Sequence, residues 1–476
     1  MRTASQPRAT VSSRAASTIA SRIRWRAASR YREVVSILRR SLSVTNALYS
    51  SACCVEFLYF DRGIVKFSEA CESHRHTSTE WRSDVEKQLG WRDRKKYLWL
   101  VALVVPSLPF GALAMWNATG SPLAWWYAPV VVFGLIPIVD ILFGDDRENP
   151  PEEVARELQQ ARYYRWITYL YLPIQYVALA VCCRVWTDGG LGIVGATGLV
   201  LTLGIVNGIA INTAHELGHK RETVERWLSK IALAPTGYGH FYVEHNRGHH
   251  TRVATPEDPA SARLGESFWA FWPRTVIGSL RSAWRLETSR FRIRHRSPWT
   301  HRNDILNAWA MTVVLFVAAV AVFGVGVLPF LVLQAIVGFS LLEVVNYLEH
   351  YGLCRQRTTA GRYEKVDPRH SWNSDRIVTN VFLFQLQRHS DHHANPLRRY
   401  QTLRSFDVSP QLPGGYATMI VAAVVTPLWR RIMDPRVLAH YGGDLSLANV
   451  HQPALPRLRA RYSPGNDAAA PTLRSA

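Results

Sequence analysis

The sequence predicts an all-α integral membrane protein. Six transmembrane helices are expected to carry a histidine-rich site at their cytoplasmic ends. Three observations predict this: apolar residues are segregated into long runs, basic residues crowd the segments between those runs, and histidines gather where the runs end. With 476 residues, 48% of them hydrophobic, the chain is long enough for a polytopic bundle.

A membrane-crossing helix needs about 20 mostly apolar residues. Six stretches qualify: 97–116, 123–143, 166–186, 190–213, 305–324 and 328–348. The first two are joined by 117–122 and the last two by 324–329, both without charge, while the middle link, 187–189, carries only Asp188. The opposite sides hold WRDRKK (91–96), the run DDRENPPEEVARELQQARYYR, a long basic segment after His215 and everything beyond Tyr351. Positive charge stays on the cytoplasmic side, so three hairpins place both termini there. The expected location is a bacterial inner membrane.

Three regions follow. Residues 1–90 are expected to be a basic, disordered extension, since the first forty are rich in Arg, Ser and Ala with Glu33 as their only acid. Residues 91–450 form the membrane domain. Within it, 415–429 (GYATMIVAAVVTPLW) is too short to cross and is expected to be a buried or interfacial helix. Residues 451–476, polar and rich in Pro and Ala, are expected to be a disordered tail.

A net charge of +20 raises nucleic acid as a partner, but no zinc-finger, RNA-binding or helix-turn-helix pattern accompanies it, and basic loops beside apolar spans point to membrane lipid. The six cysteines (53, 54, 71, 182, 183 and 354) form no CxxC pair, which excludes cysteine-based zinc and iron–sulfur sites. Any metal must rest on histidine and carboxylate.

Four clusters supply such ligands. HELGH, ending the fourth span, holds His215 and His219. EHNRGHH holds His245, His249 and His250. NYLEHYG, ending the sixth span, holds His350, and QRHSDHH holds His389, His392 and His393. An i, i+4 spacing puts two imidazoles on one helix face. HELGH alone fits the HExxH signature of zinc proteases, with Glu216 as general base, but that uses two of nine histidines. A catalytic zinc takes three protein ligands. Nine imidazoles suit two metals with open positions, and spacing alone does not choose among iron, copper, nickel and zinc.

The stretches HELGHK, EHNRGHH, NYLEHYGL and LQRHSDHH resemble those of the membrane-bound alkane 1-monooxygenases of the fatty acid desaturase/hydroxylase superfamily. DRKKYLW, FGDDRENPPEE, LGIVNGIAINTAHELGHK, ATPEDPA, SWNSDRIVTN and MDPRV extend the likeness over about 91–450. The resemblance implies a non-haem di-iron centre on His215, His219, His245, His249, His250, His350, His389, His392 and His393. It implies terminal hydroxylation of n-alkanes with O2, and electrons from a separate rubredoxin served by its reductase. Relatives with other products, xylene-type hydroxylases, epoxidases and acyl desaturases, would share such a site.

Glu216, Glu244, Glu349 and Asp391 each adjoin a cluster histidine and are candidates for orienting the imidazoles, as carboxylates commonly do around metals. Asp140, inside the second span, needs a polar or basic partner. In the family a bulky residue in the second span limits chain length. The corresponding place here is Val132, whose small side chain predicts that alkanes beyond octane fit. The basic, aromatic segment 271–296 is expected on the membrane surface or under a docked acidic rubredoxin.

Overall fold

The structure, a computed structural model, describes residues 91–462. The predicted extension 1–90 and residues 463–476 of the predicted tail lie outside the described residues. Six helices are long and apolar enough to cross a membrane: Leu98–Thr119, Pro122–Phe143, Arg162–Asp188, Gly192–Gly218, Asp304–Phe323 and Val325–Glu349. Among the described residues only isolated β-bridges occur, so the architecture is all-α.

Each span matches a sequence prediction, with informative shifts at the ends. The fourth helix continues through His215 and Glu216 to Gly218, and the sixth runs to Glu349. The apolar run ends at the adjacent histidine and glutamate that close each of these spans, whereas the backbone hydrogen-bond ladder continues into them. The hairpin ends are defined by local chemistry. Gly120 caps the first span in the left-handed conformation (φ 64°), returning its N–H to the Trp116 carbonyl. Asn303 starts the fifth span, its side chain accepting from the N–H groups of Ile305 and Leu306.

The fourth and sixth spans meet backbone to backbone. A Cβ added to Gly208 would lie 2.8 Å from the Gly338 carbonyl oxygen, so only glycine permits this approach. Behind the contact, Gln175 donates to Asn207 (3.0 Å), Asn207 donates to Gln334 (2.7 Å), and Gln334 donates to the Pro235 carbonyl (2.7 Å). These buried amides fix the rotation of the third, fourth and sixth spans. That matters because His215 and His350 project from the ends of two of them.

Asp140 is buried in the second span, as predicted to need a partner. It accepts from the Thr379 N–H (2.9 Å) and the Thr379 hydroxyl, so the anchor is a neutral donor pair rather than a basic residue. The short apolar segment resolves into two helices, Tyr416–Val424 and Thr426–His440, with Tyr416 and Trp429 wholly buried. The tail prediction is corrected for 451–462. Leu455–Tyr462 is helical and Leu458 is wholly buried, because Leu458 packs with Leu264, Val437 and Leu438 in one apolar cluster. Low hydrophobicity had hidden that single anchor.

Outward residues of the fifth span are apolar, with Val314 and Val322 68% and 73% exposed, as a lipid-facing helix requires. The basic segment is the helix Phe268–Arg292. It buries Phe271, Ala283 and Glu287 while exposing Trp269 and Ile277. The described parts of Asp93–Asp140 and of the chain from Asp145 onward form one compact unit.

Candidate metal centre

All nine cluster histidines converge. They form two groups whose ligating atoms lie within 4.8 Å of one another: His215, His219, His245, His250 and His392 in one, His249, His350, His389 and His393 in the other. Helical geometry explains the sorting. His215 and His219, one turn apart, join the same group, as do His389 and His393. His392 falls between these two and turns to the other group. Glu244–His249 is a π-helical turn, in which residue i bonds i+5. It aligns His245 with His250 and sends His249 the opposite way. The two groups adjoin, with the His250 and His393 rings 4.4 Å apart.

Nε2 atoms face inward. His215 and His392 are 2.9 Å apart, His245 and His250 3.1 Å, His250 and His392 3.1 Å, His350 and His389 3.2 Å, and His389 and His393 2.8 Å. Nε2 of His219 and of His249 is buried with no hydrogen-bond partner. So many imidazole nitrogens aimed at two common points make poor hydrogen bonds and good metal ligands. At metal–nitrogen distances of about 2.0–2.1 Å, ligands at right angles lie about 2.9 Å apart and tetrahedral ligands about 3.4 Å. The observed spacings, 2.8–3.2 Å, lie in the range that nitrogens sharing a metal adopt.

Electrostatics agree. Burial holds the imidazoles of His219, His245, His250, His389, His392 and His393 well below the usual histidine range, and neighbouring imidazoles add to the effect. Burial likewise brings His350 to about 3. The rings are therefore neutral, the form that binds metal.

A fatty acid desaturase family model matches residues 192–423, spanning all nine histidines. The chain is 44% identical over 373 residues to an alkane 1-monooxygenase of Acinetobacter baylyi, covering 78% of this chain and 91% of the relative. It is 47% identical over 362 residues to one of Ectopseudomonas oleovorans (75% and 89%) and 45% identical over 372 residues to one of Pseudomonas putida (78% and 91%). The chain belongs to the alkane 1-monooxygenase family.

In this family member, an apolar cavity reaches the histidines from within the bundle. Val105, Val132, Ile136 and Leu341 line it, and His215, His245, His389 and Glu349 form its polar end. Val132 is nearly buried in the wall, inside a π-helical turn, Val131–Leu135, of the second span.

The four carboxylates singled out in the sequence have different surroundings. Glu216 pairs with Lys220 (2.9 Å), Glu244 with Arg252 (2.7 Å) and Asp391 with Arg398 (3.0 Å). These acids brace the backbone around the site through cations and do not hold the cluster imidazoles from behind. Glu349 stands on the ligating side, its Oε2 3.2 Å from His389 Nε2.

Two groups that do hold ring nitrogens were not singled out. Asp258, from ATPEDPA, accepts from His249 Nδ1 at 2.9 Å, and the His370 carbonyl accepts from His350 Nδ1 at 3.1 Å. Burial pushes the Asp258 carboxyl up, but His249 and the Ser261 hydroxyl outweigh it and hold it at about 2. Its only sequence signal is an acid nine residues beyond His249 in a proline-flanked turn. The remaining described histidines, His240, His295, His301, His370, His440 and His451, contribute no side chain to either group.

Proposed function

We propose that this enzyme hydroxylates the terminal carbon of n-alkanes to give 1-alkanols, using O2 and electrons from a separate rubredoxin, at two irons held by the nine histidines. One observation carries the reading: an apolar cavity opens directly onto two adjacent groups of inward-facing imidazoles. His215, His219, His245, His250 and His392 would hold one iron, and His249, His350, His389 and His393 the other, with Glu349, next to His389 Nε2, as a candidate further ligand to the second. The irons would supply O2 reduction and an oxidant strong enough for an unactivated C–H bond.

The protein's own tasks follow from the lining. An alkane has no polar handle, so Val105, Val132, Ile136 and Leu341 bind it by excluding water and set its depth by shape. A methyl group at the polar end is then placed against His215, His245 and His389. Asp258 and the His370 carbonyl fix the tautomers of His249 and His350, leaving both Nε2 atoms free to bind metal. A cytoplasmic site in the bacterial inner membrane accords with the basic segments at the histidine end of the bundle.

The test is electron stoichiometry. Purified enzyme in lipid vesicles, supplied with reduced rubredoxin, its reductase, O2 and decane, should oxidise two equivalents of rubredoxin per 1-decanol. Iron-loaded enzyme that forms a desaturated product instead would move the reading to a desaturase. Peptide cleavage dependent on bound zinc would restore the HExxH reading.

A further inference from the structure

Glu343 is a carboxyl group inside the sixth span that the site described above does not use. It is wholly buried, and among the described residues no Lys or Arg pairs with it. Its partners are neutral: the Tyr238 hydroxyl donates at 2.6 Å, the Thr275 hydroxyl at 2.8 Å and the Asn346 amide at 3.1 Å. An uncompensated buried carboxyl is costly. What a carboxyl offers that an amide does not is exchange of a proton. Both states find partners here: the carboxylate accepts from three donors, and the acid can donate to the Tyr238 oxygen, which accepts as well as donates.

The placement gives that exchange a direction. Glu343 and Asn346, three apart, share a face of the helix that ends at Glu349. Glu343 and Asn346 line a small second cavity together with Glu244, Ser279, His245 and His249. Asn346, Phe241 and His245 also line the apolar cavity, so they form the wall between the two. On the far side, Glu244 has one buried oxygen without a partner and pairs through the other with Arg252, which is partly exposed.

We propose that Glu343 relays protons from the Arg252 side of the molecule, through the second cavity and past Asn346, to the reacting oxygen. This rests on the hydroxylation proposed above. That reaction breaks one C–H bond and the O–O bond, and forms a C–O and an O–H bond in the alcohol. The second oxygen atom leaves as water, taking two electrons from the reduced one-electron carrier and two protons from solvent. The aliphatic walls of the cavity have no proton to give, so the two protons need a polar route, which Glu343 and the second cavity would supply.

The experiment compares wild type, Glu343→Gln and Glu343→Asp in vesicles with matched iron content. The relay predicts that Glu343→Gln lowers kcat by about 10²-fold with the KM for decane unchanged, and raises the solvent deuterium isotope effect on kcat. Glu343→Asp should recover most of the rate. A second readout needs no turnover: the infrared difference between wild type and Glu343→Gln should show a carboxyl band and a carboxylate band that interconvert within seconds of a pH step. The relay is overturned by an unchanged rate and isotope effect, by a loss of rate with an unchanged isotope effect and no recovery in Glu343→Asp, or by a carboxyl that does not exchange with solvent. A wild type that makes no alkanol while its Glu343 bands interconvert would refute the hydroxylation reading and leave proton exchange at Glu343 standing.

Discussion

Glu349 Oε2 lies 3.2 Å from His389 Nε2, on the same edge of the ring that faces His350 at 3.2 Å and His393 at 2.8 Å. The carboxylate thus stands beside the ligating nitrogen of one member of the four-histidine group. Glu349→Gln preserves the shape of the side chain and removes the charge. We expect it to weaken metal in that group, leaving close to one iron per chain after mild chelation where wild type keeps two. Metal analysis checks this, and retention of both irons by Glu349→Gln would show that the carboxylate is not a ligand.

Asp258 is the carboxylate that bonds a cluster histidine from behind, at His249 Nδ1. Asp258→Asn can present its amide to the ring and stabilise the wrong tautomer. Groups in this position typically change metal affinity or activity by about 10–100-fold, and we expect a loss of that size with helix content unchanged by circular dichroism. Glu216→Gln is the contrast. Its partner is Lys220, so it should disturb local stability more than metal affinity.

Val132 faces the apolar cavity from the second span. Val132→Trp should fill part of that space and shift the product profile toward shorter alkanes, with rates on the shortest substrates preserved. Gas chromatography of products from hexane to eicosane reads the shift. A profile for wild type that ends at octane would contradict the assignment of Val132 as a permissive position.

Acid should release metal before it unfolds the spans. In the folded chain the imidazoles of His219, His245, His250, His389, His392 and His393 sit below the usual histidine value, and His350 at about 3, while unfolded histidines titrate at about 6.5. The folded pKa is depressed, so the stability these groups contribute is complete above the unfolded value and is lost as pH falls below it. Metal retention and thermal midpoint should therefore be flat from about pH 7 upward and decline below about pH 6.5. A decline beginning on the alkaline side would contradict neutral imidazole ligands.

The spans and the nine histidines were legible because each leaves a local pattern: a run of apolar residues, or imidazoles at helical spacing. The sorting into five and four was not legible, because it depends on a π-helical turn at Glu244–His249 that i, i+4 counting does not reveal. Adjacency in sequence is a poor guide to the supporting carboxylates. Glu216, Glu244 and Asp391 neighbour ligands along the chain, yet a helix points successive side chains in different directions, and these acids turn to Lys220, Arg252 and Arg398. Asp258 reaches His249 across a loop instead. The helix at Leu455–Tyr462 was missed for a similar reason: one buried leucine in a polar segment has no periodicity to read.

The most direct test is the product itself. Wild type and His389→Ala, expressed with rubredoxin and its reductase, would each be given decane under 18O2, and the products identified by gas chromatography and mass spectrometry. The account predicts 1-decanol carrying one 18O atom from wild type and none from His389→Ala. A membrane-inserted, iron-loaded wild type that yields no labelled 1-decanol, or that oxidises only interior carbons, would contradict it.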